Sequence, residues 1–249
     1  MIQQYYIAKV YTILEYCKFF SSFPTPGPSL DTSICNSRRS GRGEVITPSR
    51  KVIATSDKFS VDLDFDLTAP DKESFVYQKV KEIVLKHGVI FDEAPKHHGP
   101  IIVLDYGVGE RKLKIEISNR QFGSLYEVKD FLGISVRVMV LPDMFAHKLC
   151  ALTDRKVLTN RDIFDCWFFL SRKTPVSREI VEARTGLPLE SYLGACISTL
   201  ENLKHRKLLN GLGELTDEKT KQFVRTGLLQ ETIQLLRLFQ RFPLEALGD

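Results

Sequence analysis

No stretch of the 249 residues approaches the ~18 uninterrupted apolar residues that a membrane-spanning helix needs. The richest run, Phe131 to Ala146, is cut by Arg137, Pro142 and Asp143, which excludes such a helix. The apolar N-terminus has no unbroken h-region, because Lys9, Glu15 and Lys18 interrupt it, and no small-residue cleavage site follows. No secretory signal is therefore expected, and the expected compartment is the cytoplasm. The five cysteines (Cys17, Cys35, Cys150, Cys166, Cys196) lack metal-knuckle spacing and are odd in number, so they read as reduced thiols rather than as a disulfide framework or a zinc site. An excess of charge of one sign is also nearly absent. The balance of 35 basic against 31 acidic residues leaves +4, which tolerates a polyanionic partner without demanding one. What is present is ordinary globular material, 43% hydrophobic and 27% charged, enough for one large domain or two small ones.

Along the chain, residues 1 to 20 carry Ile7, Val10, Tyr11, Ile13 and Leu14 at helical intervals, so a first helix is expected there. Ser21 to about Lys58, with Pro24, Pro26, Pro28 and Pro48, reads as an unusually long loop. Phe59 to Leu67 then alternates strictly, with Phe59, Val61, Leu63, Phe65 and Leu67 opposite Ser60, Asp62, Asp64 and Asp66. That pattern predicts a strand with an acidic face. A helix capped by Asp71 or Ser74 should run to about His87 on a stripe of Phe75, Val76, Val80, Ile83 and Val84. Strands are expected over Pro100 to Tyr106, Arg111 to Ser118 and Ser135 to Leu141. Helices are expected from about Pro142 to Asp154 and Arg161 to Ser171, and around 176–184, 188–203 and 216–240. Mixed strands followed by helices alone predict an α+β first half and a helical second half, not a repeating βαβ fold.

Three constellations could carry chemistry. Asp62 and Asp64, two apart on a strand, project to one side and could share a hard cation through oxygen ligands. The plainer alternative is a solvated edge. Glu116, on a strand flanked by Lys112 and Lys114, would complete a three-carboxylate cluster if that strand lies beside the first; otherwise it makes a cross-strand pair with a lysine. On the next two helices, Lys148, Ala151 and Arg155 share a face suited to a phosphate chain, while Arg161, Asp162 and Asp165 could form a charged cluster with Arg155 across the helical hairpin. A purely structural salt-bridge network is equally compatible with that spacing. His147 reads as a satisfied, partly buried histidine.

The runs Phe59-Ser60-Val61-Asp62-Leu63-Asp64-Phe65, Leu113-Lys114-Ile115-Glu116-Ile117-Ser118, Lys148 to Arg155 and Arg161-Asp162-Ile163-Phe164-Asp165 together resemble the AbiEii/AbiGii toxin family of nucleotidyltransferases, from about Lys58 to Leu200. The resemblance implies a DNA-polymerase-β-like nucleotidyltransferase core with a mixed or antiparallel sheet, followed by a helical C-terminal half. It implies a toxin of a bacterial toxin–antitoxin or abortive-infection system. Such a protein transfers a nucleotide from a nucleoside triphosphate, with Mg²⁺ or Mn²⁺, to an acceptor that in some members is tRNA, and has an antitoxin partner encoded alongside. Carried over by position, Asp62, Asp64, Lys148 and Asp162 are the catalytic set. Asp62, Asp64 and Glu116 hold metal, Ser60, Lys148 and Arg155 bind nucleotide, and Asp165 and Arg161 support them.

The sequence departs from the family at one place. Members carry a Gly-Gly-Thr or Gly-Gly-Ser turn about fifteen residues before the first acid, leading into a helix that presents its N-terminus to phosphates. Here the equivalent stretch reads Glu44-Val45-Ile46-Thr47-Pro48-Ser49-Arg50. Without glycine the backbone approaches a triphosphate less readily, and Pro48 removes a donor amide. The expected organisation is therefore a degenerate or frameshifted N-terminal segment (1–58), a nucleotidyltransferase core (59–142) and a helical region (143–249). The alternative to an active enzyme is an impaired homologue that keeps the fold and antitoxin binding.

Overall fold

The computed structural model describes residues 46–48, 62–105, 107, 112–131, 134–155, 158–203 and 218–244, with backbone alone for 46–48, 62, 130–131 and 134–136. The helix expected within residues 1–20, Ser60 and nearly all of the 21–58 segment lie outside the described residues. The chain divides into two compact units, Met1–Gln121 with Tyr126–Met139, and Phe122–Leu125 with Val140–Asp249. Among the described residues no helix is long and apolar enough to cross a membrane.

The first unit is α+β. Its strands are β1 (Ile46–Pro48), β2 (Asp62–Leu67), β3 (Val89–Lys96), β4 (Gly99–Asp105), β5 (Leu113–Ser118), β6 (Tyr126–Phe131) and β7 (Ile134–Met139). A five-stranded sheet has the order β1-β2-β5-β4-β3, and β6-β7 form a separate hairpin. Only β2 and β5 run parallel among the described pairs. The alternation read from the sequence decides the two faces. Leu63, Phe65 and Leu67 of β2, Ile102 and Leu104 of β4 and Ile115 and Ile117 of β5 are buried in one cluster with Val76, Val80, Ile83 and Val84 of helix α1 (Glu73–Val84). Those four helical positions fall on one stripe, so α1 covers the apolar face of the sheet.

Several expectations for this unit are corrected. Phe75, assigned to the apolar stripe of α1, is exposed. Neither Asp71 nor Ser74 caps that helix. A 3₁₀ turn over Pro70–Lys72 leads into it, and the N-cap position, Lys72, makes no side-chain cap bond. The helix stops at Val84, with Lys86 and His87 closing tight turns on Ile83 and Val84 rather than continuing it. Ile46–Pro48, within the expected loop, is a strand antiparallel to β2, with Thr47 level with Asp66. Its edge position tolerates the missing amide of Pro48. β3 and β6 were not expected at all. β3 turns into β4 through Gly99, whose φ of +106° suits no L side chain. A Cβ there would stand 1.9 Å from the carbonyl oxygen of Ile117, so the hairpin approaches β5 through a position only glycine can fill.

The second unit is helical, as the 3.6-residue periodicity predicts. It contains α2 (Leu141–Asp154), α3 (Asn160–Ser171), α4 (Arg178–Thr185), α5 (Leu189–Glu201), α6 (Glu218–Thr226) and α7 (Leu228–Arg241). Pro142 sits in the first turn of α2, where its missing amide costs nothing. The helix expected over 216–240 is two. The chain breaks at Gly227, where an added Cβ would lie 3.2 Å from the Phe223 ring. The core is built around Phe145, whose ring is stacked on Phe169 at 5.4 Å and set edge-on to Phe239 at 5.8 Å. Cys150, Cys166 and Cys196 are buried and take part in no disulfide.

Candidate functional site

In the α+β unit the parallel pairing of β2 with β5 sets Asp62 level with Lys114, Asp64 with Glu116 and Asp66 with Ser118. Paired residues of parallel strands share a face, and Leu63 with Ile115 and Phe65 with Ile117 occupy the buried one. Asp64 and Glu116 are thus neighbours on the polar face. A slip of one residue would exchange the faces, so the buried apolar set fixes this register. Two side-chain bonds reinforce it. Gln121, just after β5, donates to the Leu67 carbonyl at the end of β2 at 2.6 Å, and Asn119 donates to Glu73 of α1 at 2.7 Å.

Glu116 is already engaged. Lys114 donates to its Oε2 at 2.6 Å, with side-chain exposures of 39% for the lysine and 30% for the acid. The lysine–glutamate pair raised as the plainer alternative therefore exists, running along β5 rather than across strands. On the other flank, β4 sets Ile101 level with Glu116 and Val103 with Lys114, both half-buried and apolar. Asp66 accepts from the Tyr126 phenol at 3.0 Å. Sequence reasoning gave neither of these two a role, and Tyr126 could not be placed because the alternation of β6 lasts only from Tyr126 to Lys129.

Among the described residues no three His, Cys, Asp or Glu side chains gather into a metal-holding group, and the Asp62 side chain is not part of that set. The donor chemistry of Asp64 and Glu116 still fits a hard divalent cation. It consists of carboxylate oxygens at adjacent register positions, with no thiolate or imidazole beside them on β2 and β5. Asp62 stands two residues before Asp64 on the same strand.

In the helical unit Lys148 of α2 and Arg155 just beyond it each meet an acid of α3. Lys148 pairs with Asp165, with side-chain exposures of 18% and 7%. Just past α2, Arg155 lies 3.3 Å through Nε from Asp162 Oδ1. The second oxygen of Asp162 accepts from the Thr159 amide at 3.1 Å and hydroxyl at 2.7 Å, and Thr159 in turn accepts from the Asp162 amide. This capping box starts α3. Arg161 is half-buried on the first turn of α3. The Cys166 thiol donates to the Lys148 carbonyl at 3.2 Å, and burial pushes its pKa well up, so it stays protonated.

His147 is buried, more fully than expected, with Nε2 2.9 Å from Ser124 Oγ and Nδ1 2.7 Å from Arg184. A guanidinium can only donate, so Nδ1 accepts and the ring proton sits on Nε2, facing Ser124. Arg184 also bonds Asp154 at 2.5 Å and lies over the Phe122 ring at 5.0 Å. Asp143 accepts from the Leu125 amide at 2.6 Å, and burial raises its pKa despite that bond. The sequence offered no signal for Arg184 or Asp143, since each finds its partner far away along the chain.

Comparison with known proteins gives one family. The profile described as nucleotidyl transferase AbiEii toxin, Type IV TA system, matches residues 50–187, just over half of the chain. No curated protein matches the sequence. Two solved Helicobacter pylori structures align. JHP933 is 19% identical over 79% of this chain and 84% of that one, with a TM-score of 0.45. A provisionally named nucleotidyltransferase is also 19% identical, over 79% of this chain and 87% of that one, with a TM-score of 0.48.

Proposed function

The chain belongs to the AbiEii nucleotidyl transferase toxin family, and from that premise we propose that it transfers a nucleotide from a nucleoside triphosphate to an acceptor such as tRNA. The observation that carries this reading is the register of β2 on β5, which sets Asp64 beside Glu116 one step from Asp62. These three acids would hold Mg²⁺ or Mn²⁺. When bound, the ion supplies positive charge to the transferred phosphoryl group and acidifies the acceptor hydroxyl. The chain's own contribution is fixed geometry. The carboxylates stand on a strand pair anchored by the buried apolar set, which fixes the backbone positions they project from. Ser60 is assigned to a hydrogen bond with the triphosphate.

The family-motif residues of the helical unit are assigned to phosphate charge. Lys148 is restrained by Asp165, and Arg155 by Asp162. Because both oxygens of Asp162 are taken by Arg155 and the α3 cap, we assign it to positioning Arg155 rather than to the reacting atoms. The toxin–antitoxin family further suggests an antitoxin encoded alongside as the partner protein.

A second reading, an impaired homologue retaining the fold and antitoxin binding, is favoured by one observation. Where the family's glycine turn belongs, this chain has the strand Ile46–Pro48. The test is incubation with total tRNA and each α-labelled triphosphate in Mg²⁺ or Mn²⁺. Label on RNA that disappears in Asp62→Asn and Asp64→Asn supports the enzyme. Absence of both triphosphate binding and transfer by the folded protein favours the impaired homologue.

A further inference from the structure

The face of the five-stranded sheet turned away from α1 changes character from strand to strand. β2 sets Asp64 on it, and β5 sets Lys114 and Glu116 there, because Leu113, Ile115 and Ile117 turn to the core. β4 adds Val103, level with Lys114, and Ile101, level with Glu116, both half-buried and uncharged. β3 adds an aromatic ring. Phe91 falls at the register irregularity between Ile90, level with Leu104, and Asp92, level with Val103. The extra residue of such a bulge is re-aimed out of the regular ladder, and Phe91 is 60% exposed. Lys112, exposed and just before β5, stands with Nζ 3.0 Å from the centre of that ring. It alternates with the core-facing Leu113, so the contact puts Phe91 on the open side of the sheet, the side that carries Asp64 and Glu116.

We propose that Phe91 and Lys112 form a stacking platform for an unpaired base of the acceptor nucleic acid, the ring taking the base and the ammonium the adjoining phosphate. The proposal rests on the nucleotidyltransferase reading for the identity of the acceptor. A single strand offers apolar base faces joined by anionic phosphates, and this side of the sheet offers the complement of both, an exposed ring and an ammonium in contact with it. A duplex hides its base faces, so the platform selects unpaired nucleotides. Asp92, the next residue of β3, adds a carboxylate that suits the amino edge of a base rather than a phosphate. β3 lies three strand spacings from β2, about 14 Å. That span exceeds the reach of the reacting nucleotide's own base, so the stacked base belongs to one of its neighbours along the strand.

The experiment uses the full-length protein and a fluorescein-labelled, mixed-sequence RNA strand, alone and annealed to its complement, with binding read by anisotropy. Phe91→Ala and Phe91→Leu should each weaken single-strand binding about tenfold, while Phe91→Trp keeps it. Lys112→Gln should flatten the slope of log affinity against log salt by about 0.7, one phosphate contact. Duplex binding, and triphosphate binding followed by calorimetry in Ca²⁺, should be the same in wild type and in every Phe91 variant. The proposal is overturned if the wild type does not bind the single strand, if Phe91→Ala or Phe91→Leu binds it as the wild type does, if duplex binding falls equally, or if triphosphate binding falls instead. Label transfer to tRNA separates the two levels. If Asp64→Asn abolishes transfer while Phe91→Ala leaves the KM for tRNA unchanged, the nucleotidyltransferase reading stands and the platform fails. If the wild type transfers no label yet holds the single strand through Phe91, the platform stands as an RNA site and the transfer reading fails.

Discussion

Replacing Asp165 with asparagine should destabilise the helical unit by about 3 kcal/mol. The substitution keeps the shape of the side chain and removes its charge, leaving the Lys148 ammonium, only 18% exposed, against an amide. At an effective dielectric of ~20 two charges ~3 Å apart interact by about 5 kcal/mol. Partial access of water to the lysine reduces the net loss to the lower part of the ~3–5 kcal/mol typical of breaking a buried pair. Lys148→Met should cost at least as much, because Asp165, at 7%, is the more deeply buried partner. The double variant Lys148→Met/Asp165→Leu removes both charges and should lie within about 1 kcal/mol of the wild type. Trp167, the chain's single tryptophan, stands two residues beyond Asp165, with its ring 5.3 Å from that of Phe164 and 4.8 Å from that of Phe223. Its emission during urea denaturation therefore reports this unit. If the double variant loses the sum of the two single losses to within about 0.5 kcal/mol, the charges are not coupled and the reasoning is refuted.

Two further variants probe the fold. Gly99→Ala places a methyl group into the Ile117 carbonyl at a backbone angle hostile to L residues, and should cost at least about 2 kcal/mol, read as a lower melting temperature and faster amide exchange in β4 and β5; unchanged melting would contradict the close approach. Asp143→Asn concerns pH. The folded pKa of Asp143 is raised, chiefly by burial, so the native state holds its proton more tightly than the unfolded chain does. That contribution is greatest below about pH 4 and diminishes as pH rises through the folded pKa. The asparagine variant, which keeps an acceptor for the Leu125 amide, should therefore be more favourable relative to wild type at pH 7 than at pH 4 in urea titrations, and an equal offset at both pH values would contradict it.

Legibility in the sequence followed the physics of patterning. β2 and β5 were visible because one face is buried and the other wet, so apolar and polar residues alternate. β3 escaped because it lies at the sheet edge with most residues exposed, and Asp92, Glu93 and Pro95 show no period. β6, reading Tyr126-Glu127-Val128-Lys129-Asp130-Phe131, alternates over its first four residues only, too short a run before Lys129 and Asp130 follow one another to mark a strand. Alternation says which face a residue occupies but not which strand lies beside it. The pairing of Asp64 with Glu116 was accordingly conditional until the register was seen. Of the hairpin charges, the spacing points Arg155 to the acids of the next helix but gives Lys148 only a phosphate chain. Arg155 went to Asp162 and Lys148 to Asp165, because helix packing, not spacing, decides which acid lies opposite which cation. The break at Gly227 was masked by apolar residues that keep helical phase on both sides.

Where a divalent ion binds decides the nucleotidyltransferase reading most directly. Crystals of the protein soaked with Mn²⁺ and a non-hydrolysable triphosphate, recorded at a wavelength sensitive to manganese, would locate it. Anomalous density is expected at about 2.2 Å from carboxylate oxygens of Asp64 and Glu116. Manganese bound elsewhere, away from both carboxylates, would contradict the assignment of these acids to the metal.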